Sequence, residues 1–300
     1  MILVTGASGY IGSHLVASLR NEGLPVVCLV RKETPQAQIQ YLCACGAQCV
    51  TGDLLDAGTL VPQIQGKVKR VVHLVGSIVA SKSESFQTVH REKTARLVSI
   101  CKEIGVEKIV LLTAVGAAAD AQSEYGRTKW MAEEEVRNSG IPYLILRASL
   151  VFGNLGGLRN SKMLIRLGEL VQRTPFVPVL GNGKNKIQPV FIGDLITCLK
   201  KAVTDDQLSG KTFDIAGPEQ MTFDAMIDKI ADYYDVRRIK IHIPIPLVYP
   251  MAYILEKILP VPPISRDQLR LLQKDNVCDI EEMKKNFPVK MVSFKDGFKL

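Results

Sequence analysis

The feature that most constrains this chain is a glycine-spaced turn inside its first twelve residues, set between two apolar patterns of different period. Met1-Ile2-Leu3-Val4 is a continuous apolar run, the pattern of a strand covered on both faces. Thr5-Gly6 breaks it, and Ala7-Ser8-Gly9-Tyr10-Ile11-Gly12 leads into Ser13 to Leu19, whose apolar residues recur at helical spacing. A strand that turns tightly into a helix leaves the first N–H groups of that helix unpaired and pointing outward, which suits a phosphate. The spacing Gly6-x-x-Gly9-x-x-Gly12 gives each glycine a task. Gly6 allows the turn, Gly9 the close approach of a pyrophosphate, and Gly12 the packing of helix on strand. The implied ligand is a dinucleotide, held by Gly6, Ser8, Gly9, Tyr10, Ile11 and Gly12.

From Met1 to about Arg147 short apolar runs alternate with helical segments. Strands are expected at Ile2–Thr5, Pro25–Val30, Gln48–Thr51, Arg70–Val75, Lys108–Thr113 and Tyr143–Arg147, with helices at Phe86 to Ile104 and Glu124 to Asn138. This alternation predicts right-handed βαβ units and an α/β fold, a doubly wound parallel sheet of Rossmann type with a smaller C-terminal cap. Residues 1–152 are assigned to the nucleotide domain, with 187–216 returning to it. Residues 153–186 and 217–300 are assigned to a substrate-binding cap.

Three hundred residues, 47% of them hydrophobic, are enough to bury such a core. Because a strand is expected from residue 1, a cleavable leader has no room, and the expected location is the cytoplasm. The seven cysteines lack paired metal spacings, so they are read as reduced, mostly buried thiols with no metal site. The formal charge of +8 is scattered rather than run together, which argues against nucleic acid as a partner.

The strand tips carry the remaining cofactor residues. Strand two ends at Val30-Arg31-Lys32, where an NAD site usually offers a carboxylate to the ribose hydroxyls. Arg31, with Lys32 beside it, can instead pair with a 2′-phosphate, so NADP is the preferred cofactor and NAD the alternative. Gly52-Asp53-Leu54 lies where adenine would cross the tips, and Asp53 might equally cap the following helix. Val75-Gly76 brings small backbone close to the cofactor, while His73 is read as a packed histidine.

Beyond strand five comes Ser123-Glu124-Tyr125-Gly126-Arg127-Thr128-Lys129, in which Tyr125 and Lys129 share a helix face. An ammonium beside a phenol is expected to lower the phenol pKa, so that Tyr125 exchanges a proton with a substrate carbonyl or hydroxyl. Together with Thr5 to Gly12, Gly52-Asp53-Leu54, Val72 to Gly76, Leu146-Arg147 through Val151-Phe152-Gly153, and Gln188 to Leu195, these residues give a resemblance over almost the whole chain. The chain resembles the extended, atypical short-chain dehydrogenases/reductases, the branch that includes nucleotide-sugar epimerases and dehydratases.

The resemblance implies that Tyr125 is the proton donor or acceptor and that Lys129 holds the nicotinamide ribose. It also implies a hydroxyl residue at the tip of strand five, for which Thr113 is the nearest match. If the aligned position is Ala114, the triad lacks this member and Ser123 is the substitute. Leu150 and His90-Arg91-Glu92-Lys93-Thr94 depart from the sugar-nucleotide pattern. They point to a subgroup resembling the Rossmann-domain accessory subunit of respiratory complex I and its free-standing relatives, as do Arg266-Asp267-Gln268-Leu269 and Lys274 to Val277. Three functions therefore stand open: an oxidoreductase acting on a carbonyl or secondary alcohol, a nucleotide-sugar epimerase or dehydratase, and a non-catalytic cofactor-binding subunit.

Past Phe152 the alternation gives way to a loop, a helix from Ser161 to Gln172, a strand from Ile187 to Phe191, and a helix from Gly193 to Val203. A strand at Thr212–Ile215 follows, then a helix from Phe223 to Tyr234 capped by Thr222. The stretch 242–264 is unusually apolar but interrupted by prolines and by Glu256 and Lys257, and falls short of a membrane span. It is expected to be a buried helix of the cap. The alternative is an exposed apolar face that meets a membrane, a protein partner or a partly apolar substrate.

Overall fold

Seven parallel strands form one sheet: β1 (Ile2–Thr5), β2 (Val26–Val30), β3 (Gln48–Thr51), β4 (Arg70–His73), β5 (Lys108–Ala114), β6 (Tyr143–Ala148) and β7 (Lys211–Ile215). The structure is a computed structural model that describes residues 1–80 and 84–298. Strand order is β7-β6-β5-β4-β1-β2-β3, so the chain winds outward through β3 and then crosses back to β4. The order reverses between β1 and β4, which pair with Thr5 opposite His73. In such a sheet the crevice at the carboxyl ends of those two strands is where a ligand fits.

Side chains alternate across the sheet and feed two cores. Ile2, Val4, Cys28 and Val30 pack on one face with α1 (Tyr10–Asn21) and α7 (Ile192–Thr204). Leu3, Val27, Leu29, Ile109 and Leu111 pack on the other with α3 (Ala57–Ile64) and α4 (Lys93–Glu103). The six expected strands of the first half are all present, with ends shifted by a residue or two. The expected helix over 86–104 is divided: Gln87–Glu92 forms a π-helical turn before α4. The expected strand Ile187–Phe191 is two short strands, Lys186–Ile187 and Val190–Phe191.

β7 pairs with β6 and α7 packs on α1. The boundary at 217–300 needs correction, because Ile280, Met283 and Phe287 are buried in the same core, with Phe287 edge-on to Phe213 of β7. Their apolar spacing belongs to a short helix, Glu281–Asn286, that covers the outer strand. The smaller unit has its own core, built from Phe152, α6 (Lys162–Arg173), α8 (Phe223–Tyr233), Phe294 and Phe298. Thr222 caps α8 as expected, accepting from the Ala225 amide at 3.1 Å.

The buried helix expected in 242–264 is corrected as well. α9 (Ile245–Ile258) buries Val248 and Ala252, but Leu247, Met251, Ile254 and Ile258 are 72, 51, 54 and 67% exposed. Those four stand at i, i+4, i+7 and i+11, one continuous face left outward while the opposite face meets Leu269. Among the described residues no helix is long and apolar enough to cross a membrane. The cysteines are also less buried than expected: Cys28, Cys101 and Cys198 are buried, Cys45, Cys49 and Cys278 partly so, and Cys43 is exposed.

The glycine turn tolerates little change at Gly12. A Cβ there would overlap the Gly6 carbonyl oxygen and stand 2.8 Å from Ala7 Cα, backbone that cannot rotate away. Gly23, at φ +75°, has no atom within 4 Å of its would-be Cβ. Urea denaturation of Gly12→Ala is therefore expected to show a loss of about 1–3 kcal/mol from overpacking. Gly23→Ala should lose only about 1–2 kcal/mol, from the left-handed backbone. A smaller loss at Gly12 than at Gly23 would contradict this account of the turn.

Candidate cofactor and active site

Gly6 sits at the crevice with φ +73°, and a Cβ on it would be 3.0 Å from the Leu74 carbonyl carbon and oxygen after β4. Backbone passes backbone there, so both the turn and its closeness to β4 require glycine. α1 begins at Tyr10 with Gly9 as its N-cap, no side-chain cap, and no acidic residue in its first turn. Its opening amides and the positive end of its dipole are thus left for an anion. A Cβ on Gly9 would meet the Gly6 carbonyl at 3.1 Å and, chain neighbours aside, no other atom within 4 Å, so this side of the turn is open. The cradle fits a pyrophosphate. Ile11 and Ser8 flank it through backbone, whereas the Tyr10 hydroxyl is committed to the Gly153 carbonyl at 2.5 Å.

At the β2 tip Arg31 and Lys32 are exposed. Arg31 Nη1 is 3.5 Å from Glu84, and buried Lys93 pairs with the same carboxylate. Asp53 lies 3.9 Å from Lys93 Nζ and accepts from the Leu55 amide at 2.9 Å. Leu54 is a core residue, its side chain turned away from the crevice's solvent into the apolar cluster. Asp53, Glu84, Lys93 and Arg31 thus form one charged cluster at the end of the crevice assigned to adenosine.

α5 (Glu124–Arg137) carries Tyr125 and Lys129. Its N-terminus is capped twice. Ser123 Oγ accepts from Gly126 N at 3.1 Å, and the Asp267 carboxylate accepts from the Glu124 and Tyr125 amides at 2.7 and 3.0 Å. Asp267 belongs to α10 (Arg266–Leu271), so the cap is fastened to the helix that bears the tyrosine. Phe86 and His90 hold the Tyr125 ring edge-on, with centroids 5.9 and 5.3 Å away. Lys129 is buried, and a Cβ on Gly76 would come 2.6 Å from its Nζ. Gly76 therefore makes room for the ammonium, while Val75 packs partly into the core.

Two expectations about the chemistry are corrected. The Tyr125 phenol is pushed up to about 12 by burial, not lowered, because desolvation penalises the phenolate. Burial also lowers Lys129 to about 8, with Glu133 pulling the other way. Thr113 does not serve the tyrosine: its hydroxyl donates to buried Glu133 at 2.7 Å. The period of β5 turns Thr113 toward the middle of α5, and Ala114 offers no hydroxyl. Ser123 stands next to the Tyr125 turn, where its oxygen already accepts from an amide and its proton remains available.

A buried histidine network lies beneath the pair. His90, in the π-helical turn, hydrogen-bonds with Thr128 Oγ1 through Nδ1 at 2.8 Å and with the Ser77 carbonyl through Nε2 at 3.1 Å. His73 bridges Thr5 Oγ1 at 2.6 Å and Thr94 Oγ1 at 3.1 Å, the packed role expected of it. Sequence reasoning passed over Asp267, Glu133 and the placement of His90. Asp267 acts across 142 residues or more and Glu133 reaches 20 residues back to Thr113, and only the extra residue of a π-turn turns His90 inward. A cavity of about 310 Å³ lies at the N-terminal end of α5, lined by Phe86, Glu124, Leu259, Pro260, Pro262 and Arg266 among others, with neither Tyr125 nor Lys129 in its wall. Among the described residues no group of histidine, cysteine and carboxylate side chains is arranged to hold a metal.

This geometry defines a nucleotide-binding doubly wound protein with a tyrosine–lysine pair at its crevice. Residues 2–216 match the NAD dependent epimerase/dehydratase family, and the chain belongs to that family. It is 26% identical over 94% of its length to the mitochondrial NADH dehydrogenase [ubiquinone] 1 alpha subcomplex subunit 9 of Arabidopsis thaliana, covering 71% of that protein. It is 24% identical over 86% of its length to the sterol-4-alpha-carboxylate 3-dehydrogenase, decarboxylating, of Mus musculus, covering 75% of it. Among solved structures it is similar in fold to the UDP-glucose 4-epimerase of Thermotoga maritima, with a TM-score of 0.76 at 18% identity over 99% of this chain and 95% of that one. The UDP-glucuronic acid 4-epimerase of Bacillus cereus, in complex with NAD, gives 0.74 at 22% identity, again over 99 and 95% of the two chains.

Burial lowers His73 to about 3 and His90 to about 2, so both are neutral in the folded protein. In the unfolded chain both titrate near pH 6.5, and below that pH the unfolded state alone takes up their protons. Stability is thus full above pH 6.5 and lost as the pH falls. Chemical denaturation between pH 6.5 and 4.5 should show each histidine contributing a loss of about 1.4 kcal/mol per pH unit. His90→Asn should remove about half of the two-histidine slope, and an unchanged slope would refute the assignment.

Proposed function

We propose that this chain is an NADP(H)-preferring oxidoreductase that acts on a carbonyl or secondary alcohol in a partly apolar pocket. The observation that carries the reading is the Tyr125–Lys129 pair, seated at the switch-point crevice with Lys129 Nζ against Gly76. The glycine turn of α1 would hold the pyrophosphate and Arg31 the 2′-phosphate, while Asp53 and Leu54 would border the adenine. A bound nicotinamide supplies hydride exchange. Tyr125, with its phenol proton retained at neutral pH, is the group that protonates a substrate oxygen. Lys129 has a lowered affinity for its proton, which suits it to re-supply the tyrosine and to bind ribose hydroxyls. Phe86, Leu259, Pro260 and Pro262 keep one side of the cavity at the N-terminal end of α5 apolar.

A second reading is a cofactor-binding subunit without turnover. It is favoured by the exposed stripe on α9 and by the likeness to a complex I subunit. In that reading the 242–264 face meets a protein or membrane surface. The epimerase reading is weaker here, since Leu150 and His90 stand where the sugar-nucleotide pattern has polar residues of other kinds. An epimerase would also retain its oxidised cofactor through turnover rather than release it.

The cofactor preference is tested by calorimetry with NADPH and NADH. NADPH is expected to bind more tightly, and Arg31→Ala should weaken it by about 10- to 100-fold, the loss of a charge-assisted phosphate contact. NADH affinity should stay within about twofold, and equal affinity of the unaltered protein for both cofactors would overturn the preference.

Turnover is tested on a panel of ketones and aldehydes with NADPH. Tyr125→Phe is expected to lower the rate by about 100-fold or more while leaving NADPH binding intact. If the unaltered protein and the variant oxidise NADPH at the same rate, the subunit reading replaces the enzymatic one.

A further inference from the structure

Four of the seven cysteines gather where α2 (Gln36–Ala44) turns back into β3, on the side of β2 away from the β4 crevice. Cys28 of β2 and Cys49 of β3 face each other in strand register. Cys43, in the last turn of α2, brings its Sγ to 3.7 Å from Cys49 Sγ. The order runs from core to solvent: Cys28 is buried, Cys49 half-buried and Cys43 exposed. Cys49 is the middle sulfur and accepts from the thiols on both sides. Cys45 is turned instead toward Tyr41. Among the described residues this group does not have the arrangement of a metal site.

We propose that Cys49 and Cys43 form a reversible, peroxide-oxidised thiol pair in which Cys49 reacts first and Cys43 resolves it. The two S–H donors hold Cys49 down to about 7, so near neutral pH much of it is thiolate. Cys43 is pushed the other way, which makes it the later partner. The Cys49 thiolate attacks one oxygen of a hydroperoxide, the O–O bond breaks, and the departing oxygen leaves as alcohol or water after taking a proton. Cys49 is then a sulfenic acid. Cys43, losing its proton, attacks Cys49 Sγ. The S–O bond breaks, hydroxide leaves as water, and an S–S bond forms. Two thiols are oxidised by two electrons and one peroxide is reduced by two.

Geometry permits the closure. A disulfide is about 2.05 Å long, so the sulfurs must approach by roughly 1.6 Å. Cys43 is exposed at the end of its helix, and the segment between the two cysteines turns on Gly46 at φ +83°. Cys28 is too buried to meet peroxide and remains the donor behind Cys49. The reverse step needs a dithiol reductant, which opens the bond by thiol exchange.

The test treats the full chain with hydrogen peroxide, blocks free thiols with iodoacetamide and maps the cysteines by peptide mass spectrometry. The expected product is a Cys43–Cys49 disulfide, two hydrogens lighter, that dithiothreitol reverses. Cys43→Ser should stop at a sulfenic acid on Cys49, trapped by dimedone, whereas Cys49→Ser should give neither product. Before oxidation, Cys49 should alkylate at pH 7 about tenfold faster than an ordinary thiol. Cys28→Ala should remove most of that advantage, and far-UV circular dichroism confirms that each variant is folded. Free Cys43 and Cys49 after peroxide, a disulfide through Cys45 instead, or an ordinary alkylation rate at Cys49 would each overturn the proposal.

Discussion

The carboxylate of Glu133 holds α5, the helix that bears Tyr125 and Lys129, to the sheet, and the geometry of the crevice depends on it. It is wholly buried and accepts four hydrogen bonds: from Thr113 Oγ1 at 2.7 Å, Arg147 Nε and Nη2 at 2.8 and 2.6 Å, and Arg137 Nη2 at 2.7 Å. Those donors lie on β5, on β6 and one turn further along α5. A buried charge with both oxygens satisfied is tolerated, but one stripped of a partner costs about 3–5 kcal/mol. The helix is therefore held in register and rotation. Lys129, one turn before Glu133 on α5, is carried with it into the space left by Gly76. The same carboxylate favours the charged form of the Lys129 amine.

At its other end α5 is fastened by Asp267, whose carboxylate meets amides that nothing else in the helix can satisfy. The capping unit and the nucleotide unit are thus joined at the residue next to the tyrosine. A movement of α10 would bear on the Tyr125 backbone directly. On the cofactor side the contacts are steric rather than polar. Gly6 is packed against the backbone after β4, and Gly12 against the Gly6–Ala7 turn, so α1 keeps its N-terminus aimed at the crevice. The helix dipole and the uncapped amides then place positive potential at the mouth of the turn.

Much of this was legible in the residues themselves. The strand runs, the glycine triplet, the four-residue spacing of Tyr125 and Lys129 and the Thr222 cap are local patterns, and local patterns are set by backbone geometry over a few residues. Thr113 shows where such reading stops. Its place at a strand tip suggested a catalytic hydroxyl, but strand period turns it to α5, where its hydroxyl donates to a buried carboxylate. The Tyr125 pKa went the same way: spacing brings in a cation, whereas the direction of the shift is set by how much water the folded site excludes. α9 reversed a third expectation, because apolar content alone does not say which face of a helix will find a partner.

The sequence by itself determined the α/β class, the winding of the nucleotide half, the phosphate turn and the family. The first three follow from periodicity and from positions where only glycine fits, the family from the resemblance of its motifs. Tertiary structure alone decided that Asp267 caps α5, that Glu133 claims Thr113, that His90 turns inward on a π-turn, and that Ile280 to Phe287 close the nucleotide core. Each of these joins residues through space that are far apart in sequence or depends on a shift in helical phase. The energy that selects them, burial of charge and of apolar surface, exists only once the layers have packed.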